Sequence, residues 1–464
     1  MRVTTIGRYT PEPGTLVEWR AAPAAVAAVA KLPRHPAPPS FNQRFHLETA
    51  VRGAAGRDAG TWLAFAFDLP GRADIDVLEA VLVHWIRRHE TLRSGFSVPE
   101  GGGPDDVERR VLPPERVALV RSEAGRFDSA RHLAAHLRRR FDEECRPLSW
   151  PSYLPGAIVR PDRTTLFCGF DHCDVDGYSL ALAVHELGEI HQALSRGRPV
   201  ELPETGSFVE YCAEERSPVP APARDDPAMR PWRELARACG GAPPAFPLDL
   251  GVPPGQVRPQ LSECRRLLDA PATADLEEAC RAAGGSLFTG LLAAAGLAAR
   301  RLGAAADGFR LLTPLHTRTD PRWRAAVGWF TRVAPIAFDV DVEERFPETL
   351  AAAHQAFRAA LATVAVPFPA VLAALEGGLT RTRDDVFMLS YIDYRRFPGA
   401  DRYPDCDPWH ISNETVADDA QFWVSRTRDG LFLRARCPDT PLARANLSAY
   451  LAEWCGVLAS ARPA

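Results

Sequence analysis

Lysine is nearly absent from this chain: Lys31 is the only one among 55 basic residues, and all the others are arginine. With abundant alanine and 42 prolines, that skew reads as a GC-rich coding bias. Basic residues do not outnumber acidic ones either. A formal net charge of −4 leaves no overall positive field, which argues against a nucleic-acid partner. The ten cysteines include no C-x-x-C pair and no regular framework, so neither a zinc ribbon nor a disulfide scaffold is expected. They read as reduced, mostly buried thiols. No apolar run reaches eighteen residues, so no membrane span is expected. The N-terminal "MRVTTIGRYTPEPGTLVEWR" lacks the basic start and apolar core of a secretory leader. These absences lead to the expectation of a soluble cytoplasmic protein.

What is present is ample apolar content, 46 % of 464 residues, enough for two domains or one large two-lobed unit. Strand and helix patterns alternate. "TWLAFAFDL" (61–69) is β-like, and Asp74 then opens a helix with Ile75, Leu78, Leu82 and Trp85 on one face. Asp128 opens a second helix, on which Arg138 to Arg140 read as a solvated face. "EGGGPDD" (100–106) reads as a flexible loop, and the proline-dense stretch 217–260 as a crossover between lobes. Beyond it, helices are expected near 273–284, 286–301 and 346–362, with strands near 309–315, 332–340, 385–392, 420–426 and 430–436.

One stretch stands out chemically: "FCGFDHCDVDGYSLALAVHELGEIHQ" (167–192) sets Asp-His-Cys-Asp-Val-Asp-Gly between a buried-strand pattern and a helical one. A zinc site fails on spacing, because His185 and His191 lie six apart on the helix where a zincin needs four, and both read as exposed. Two readings of His172, Asp176 and Gly177 stay open from the residues alone. One is a turn without chemistry. The other is a base held at a strand end, where an ordinary imidazole near 6.5 would suit proton transfer at neutral pH.

Other stretches, taken in order, resemble one family. "FNQRFHL" (41–47), "RHETLRSGF" (88–96), H-x-x-x-D-G (172–177), "GGSLFTGLLAAAGLAARRL" (284–302), "PLHTRTDPRWRAAVGWFTRVAPI" (314–336), "VFMLSYIDYR" (386–395) and "QFWVSRTRDGLFLRARCPDTPLARAN" (421–446) span nearly the whole chain. Together they resemble the condensation-domain superfamily that shares the chloramphenicol acetyltransferase fold, and within it the actinobacterial polyketide-associated acyltransferases. Two positions depart from that pattern: Asp171 replaces the first histidine of H-H-x-x-x-D-G, and Thr331 the asparagine after G-x-F.

The resemblance implies an α/β protein of two lobes, 1–205 and 206–464, forming a V around an active-site channel. It implies an acyltransferase that takes an acyl group from a thioester, on carrier-protein phosphopantetheine or coenzyme A, to a small-molecule alcohol or amine. His172 would be the general base and the Gly177 N–H an oxyanion donor. Asp176 would be structural and paired with Arg318, and Asp171, Tyr178, Thr331 and Ser390 are candidates for the channel wall. Neither metal nor redox cofactor is implied. An ester product is expected, with an amide-forming condensation enzyme and an inactive carrier-protein-recruiting module as rivals. Cys173 reads as a packing thiol and His316 as a loop histidine, although it is the rival base. Arg88, His89, Glu90 and Arg93 read as holding a turn, and Trp329 and Trp423 as core.

Overall fold

The computed structural model describes residues 1–53, 60–217, 222–223, 226–341, 343, 345–375 and 377–461. The chain divides into two compact units. The first takes Met1–Pro218 with two later pieces, Arg318–Phe330 and Arg396–Glu414; the second takes the remainder. Sequence reading placed a single cut after residue 205, and the chain instead passes between the units five times. Part of the expected crossover, 218–221 and 224–225, lies outside the described residues. Its described portion is not all loop, since Arg230–Ala238 is helical and the strand Arg258–Asp269 begins inside it.

The first unit is built on a mixed seven-stranded sheet. Its order is Arg2–Thr5, Trp409–Ser412, Trp62–Pro70, Arg163–Asp171, Tyr153–Val159, Gly14–Ala21, Leu119–Phe127. The signature strand Arg163–Asp171 is central and pairs antiparallel on both sides, with Trp62–Pro70 and Tyr153–Val159. Eight of its nine residues are buried, which is why it reads as a continuous β-branched and aromatic run and not as an alternation. A Cβ at Gly169 within it would overlap the buried Phe141 ring, so a larger residue would force that ring to move. That ring comes from the helix Ala130–Glu144, whose cap is Ser129 and not Asp128: the Ser129 hydroxyl accepts the His132 N–H. Nor is the arginine run on this helix wholly solvated. Arg140 is buried and holds Glu18, Glu143 and Glu144 at 3.1, 2.6 and 2.9 Å.

The second unit has its own mixed seven-stranded sheet. Its order is Thr331–Phe338, Phe309–His316, Met388–Asp393, Gln421–Thr427, Gly430–Pro438, Arg258–Asp269, Val416–Ala417. The helix Leu287–Arg301 is buried along almost its whole length, and its run of alanine and glycine allows that. The C-terminal helix Pro441–Ser460 packs on it; Tyr450 and Trp454 donate to the carbonyls of Ala295 and Leu291. No single helix among the described residues is long and apolar enough to cross a membrane.

One buried cluster ties the signature helix Gly177–Ser195 to the helix Ile75–Arg88. Glu186, fully buried on the former, accepts from Trp85 Nε1 at 3.1 Å and Arg88 Nε at 3.1 Å, and contacts His89 Nε2 at 2.5 Å. Arg93 donates to the Leu112 carbonyl at 2.6 Å, and Glu90 accepts from Ser207. The R-H-E-x-L-R segment is thus tied into the unit's interior. Burial pushes the Glu186 carboxyl up, but the charges and hydrogen bonds of His89 and Arg88 outweigh it and hold it below the ordinary range. A carboxyl lowered in the folded state contributes stability that is present above its unfolded pKa and lost as pH falls through the lowered value. Glu186→Ala, which strands these donors, is expected to cost about 3–5 kcal/mol, read as a lower Tm at pH 7. The difference from wild type should shrink as pH is taken down through the lowered value.

Candidate active site

The signature strand ends at Asp171, and the signature helix begins at Gly177. His172 is the first residue past the strand, held by its N–H donating to the Thr61 carbonyl at 2.9 Å. Asp176 is the helix N-cap and accepts the Ser179 N–H at 2.8 Å. The five residues between strand and helix therefore carry both groups at a fixed separation. Gly177 is the first helical residue, at the end where backbone N–H groups lack intrahelical acceptors.

The Asp176 carboxylate is almost fully buried and saturated with donors. Arg318 approaches in a fork, Nη1 to Oδ2 at 2.7 Å and Nη2 to Oδ1 at 3.1 Å. The Phe330 N–H donates to Oδ2 at 3.0 Å and the Ser179 hydroxyl lies 2.8 Å from Oδ1. Arg318 is itself 1 % exposed at its side chain, so this is a buried pair. Its guanidinium lies between the rings of Tyr178 and Phe330, 4.3 Å from each centroid. Burial alone would raise the Asp176 pKa, but the Arg318 charge and these hydrogen bonds bring it below the ordinary carboxylate value.

The segment Arg318–Phe330 is locked at more than one point. Ser179 Oγ accepts the Gly328 N–H at 3.0 Å and lies 2.8 Å from the Gly328 carbonyl, and the Phe208 ring fills the place of a Gly328 Cβ. Tyr178 donates to the Arg324 carbonyl at 3.1 Å and packs on Phe397. Tyr178, a channel-wall candidate, thus has its ring against the arginine and its hydroxyl engaged. Trp329, read as core, is half-buried and stacks on His172, ring centroids 4.0 Å apart and planes 26° apart.

Asp171 is corrected as a channel-wall candidate. It is 0 % exposed and does not face a channel; its carboxylate takes the Cys173 N–H at 2.9 Å and contacts His46 Nε2 at 3.0 and 3.2 Å. His46 comes from the helix Phe41–Gly53, where Gln43, His46 and Leu47 share one face. Gln43 donates to the Cys173 carbonyl at 2.9 Å, and Leu47 packs with Cys173, Phe96 and Val107. The motif "FNQRFHL" therefore docks a helix onto the signature loop.

Sequence reading missed His46 and Ser179, because each matters through a partner distant in the chain or through tertiary burial. Thr331 opens a strand of the second unit, opposite His316, which is exposed; Ser390 is buried in the same sheet. Trp423 is half-buried beneath Arg434, 3.9 Å from its ring. His185 and His191 are half-buried and not exposed, and His185 Nδ1 accepts from Arg402 at 3.2 Å.

Among the described residues one cluster has metal-ligand composition, His46, Asp171 and Cys173, with ligand atoms within 4.8 Å of one another. Its chemistry runs against an ion. His46 Nε2 is already on Asp171, and burial, with Asp171 and Asp174 nearby, pushes the Cys173 thiol well up, away from the thiolate a metal needs.

His172 also departs from an ordinary imidazole. Burial lowers its pKa, and the His46 charge lowers it further, against smaller raising effects from its own backbone, Asp171 and Asp176. Its Nδ1 is buried with no hydrogen-bond partner among the described residues.

The condensation-domain family model matches residues 59–391, well over half the chain. The chain belongs to the condensation-domain family. Within that family it is similar to named acyltransferases over nearly its full length. The trehalose-2-sulfate acyltransferase PapA2 of Mycobacterium tuberculosis is 30 % identical over 458 residues, 97 % of this chain and 95 % of the relative. The acyltransferase PapA3 of the same species is 26 % identical over the same coverage. A solved structure of the PapA2 acyl transferase superposes with a TM-score of 0.89, at 28 % identity and 99 % coverage of both chains. This condensation-domain protein is an acyltransferase with an acyl donor and a small-molecule acceptor.

The buried pair makes a direct prediction. Asp176→Ala and Arg318→Ala should each cost about 3–5 kcal/mol by stranding the other charge. The double variant should fall short of their sum by about 0.5–3 kcal/mol in chemical denaturation. Strict additivity would show that the fork carries no coupling.

Proposed function

We propose that this protein esterifies a hydroxyl of a small-molecule acceptor with an acyl group from a thioester, using His172 as general base. The observation that carries this reading is the placement of His172. It sits at the end of a buried central strand, with its ring stacked on Trp329 and the loop behind it braced by Asp176 and Arg318. Nδ1 is buried without a partner among the described residues, and Nε2 is the atom assigned to accept the acceptor's proton. The alkoxide character that develops attacks the thioester carbonyl, and the Gly177 N–H at the helix start is the donor assigned to the resulting oxyanion. The proton then passes from Nε2 to the leaving thiolate, so His172 ends neutral and no acyl-enzyme forms. Asp176 and Arg318 hold the loop and do not touch the reacting atoms. The reading calls for no metal or redox cofactor.

Support for a hydroxyl acceptor comes from the relatives. PapA2 is named for acyl transfer to trehalose-2-sulfate, a sugar whose acylatable groups are hydroxyls. The donor assigned here is a carrier-protein phosphopantetheine thioester, with coenzyme A esters as the alternative. Natural-product or lipid assembly is the setting.

His172→Ala should lower turnover by about two to four orders of magnitude while the protein stays folded. The pH profile gives the sign. Because His172 is lowered from 6.5, log kcat/KM with an alcohol acceptor should climb through a value below 6.5 and be level by neutrality, and the limb should vanish in His172→Ala. An amine, mostly protonated at pH 7, should instead keep gaining rate toward pH 9. Faster amide than ester formation across matched amines and alcohols would favour the condensation-enzyme reading. Near-wild-type turnover in His172→Ala would end the mechanism and turn attention to His316.

A further inference from the structure

The first position of the signature, where the resemblance expects histidine, holds Asp171, and a buried carboxylate demands partners. It finds a backbone N–H from Cys173 and an imidazole from another element, His46. His46 in turn meets the edge of Trp329, ring centroids 6.0 Å apart and planes at 80°, and the face of the same indole stacks on His172. Asp171 and His172 are consecutive. The four side chains form one assembly, with an Asp171–His46 ion pair standing beside the base.

We propose that His46, clamped by Asp171, is a positioning residue that stands beside His172 as a cation and keeps it in the neutral, proton-accepting state. This rests on the reading of His172 as the base. The charged groups facing His172 are His46 from the helix Phe41–Gly53, Asp171 from its own strand and Asp176 from its own loop. The Asp176 charge is taken up by Arg318, while Trp329, from the segment Arg318–Phe330, is uncharged.

The sign follows from the two histidines. Burial works against a charged His46, but the charge and hydrogen bond of Asp171 prevail and raise it above 6.5. His172 is lowered below 6.5, so His46 is still protonated over the range in which His172 titrates. A protonated neighbour opposes a second proton on His172. Asp171 alone would do the reverse. The pair therefore works because its cationic member weighs more on His172 than its anionic one.

The test follows the His172 ring by NMR titration of histidine-labelled protein, alongside the pH dependence of kcat/KM. His46→Gln removes the cation and leaves the carboxylate, so the His172 titration and the acid limb should both move up toward 6.5. Asp171→Asn removes the carboxylate and with it the hold on a protonated His46, so the shift should be upward but smaller. His46→Lys keeps a cation next to Asp171 and should hold both readouts near their wild-type position. A merely structural His46 would lower Tm or kcat in all three variants and leave the midpoint in place, and that outcome overturns the proposal. If His46→Gln does not fold, Asp171→Asn against His46→Lys carries the same comparison. The base reading fails separately: an active His172→Ala would show that the kinetic limb does not report on His172, yet the NMR midpoint of His172 in the other variants would still report whether His46 acts on it.

Discussion

The site depends on one buried fork, Arg318 on Asp176, joining residues 142 apart in the chain. Neither group is tolerable in the interior alone, because the desolvation of an unpartnered charge amounts to several kcal/mol. Together, with the Phe330 N–H and Ser179 as further hydrogen-bond partners and two rings flanking the guanidinium, they form a joint. That joint fixes the start of the signature helix and the segment Arg318–Phe330. It thereby brings Trp329 onto His172. The base is placed from two directions, by the sheet through its own strand and by the fork through the ring stacked on it.

A second buried contact, His46 on Asp171, adjoins the signature loop and meets the same Trp329 ring. His172 is half-buried and faces charges of both signs, so its proton affinity is a balance in which burial is the largest influence. The Glu186 cluster completes the arrangement by fixing the far side of the signature helix against the helix Ile75–Arg88. Three buried carboxylates, Asp171, Asp176 and Glu186, thus each take a cationic partner from a different stretch of chain.

Much of the fold was legible because its strongest elements are periodic and long. The central strands and the helices near 286–301 and 346–362 were read within a few residues of where they lie. Weaker elements escaped. Arg258–Asp269 is one of the longest strands, yet its arginines and the prolines before it masked the pattern. Trp409–Ser412 is short, and its place in the first sheet is set by pairing with Arg2–Thr5, some 400 residues away, which no local signal carries.

At the site, local sequence determined the strand end, the cap and the glycine at the helix start, because these arise from neighbouring residues and backbone chemistry. It placed His172, Asp176 and Gly177 within six positions of one another, and the likeness of "HTRTD" to a known family pointed to Arg318. Only the tertiary structure decided which partner each buried charge takes. Asp171 could have faced solvent, and it is His46, 125 residues away, that makes its burial affordable. Trp329 could have been core, and the fork makes it the floor under the base. The reason is physical: a side chain's propensity is a property of its neighbours in sequence, whereas desolvation and ion pairing are properties of its neighbours in space.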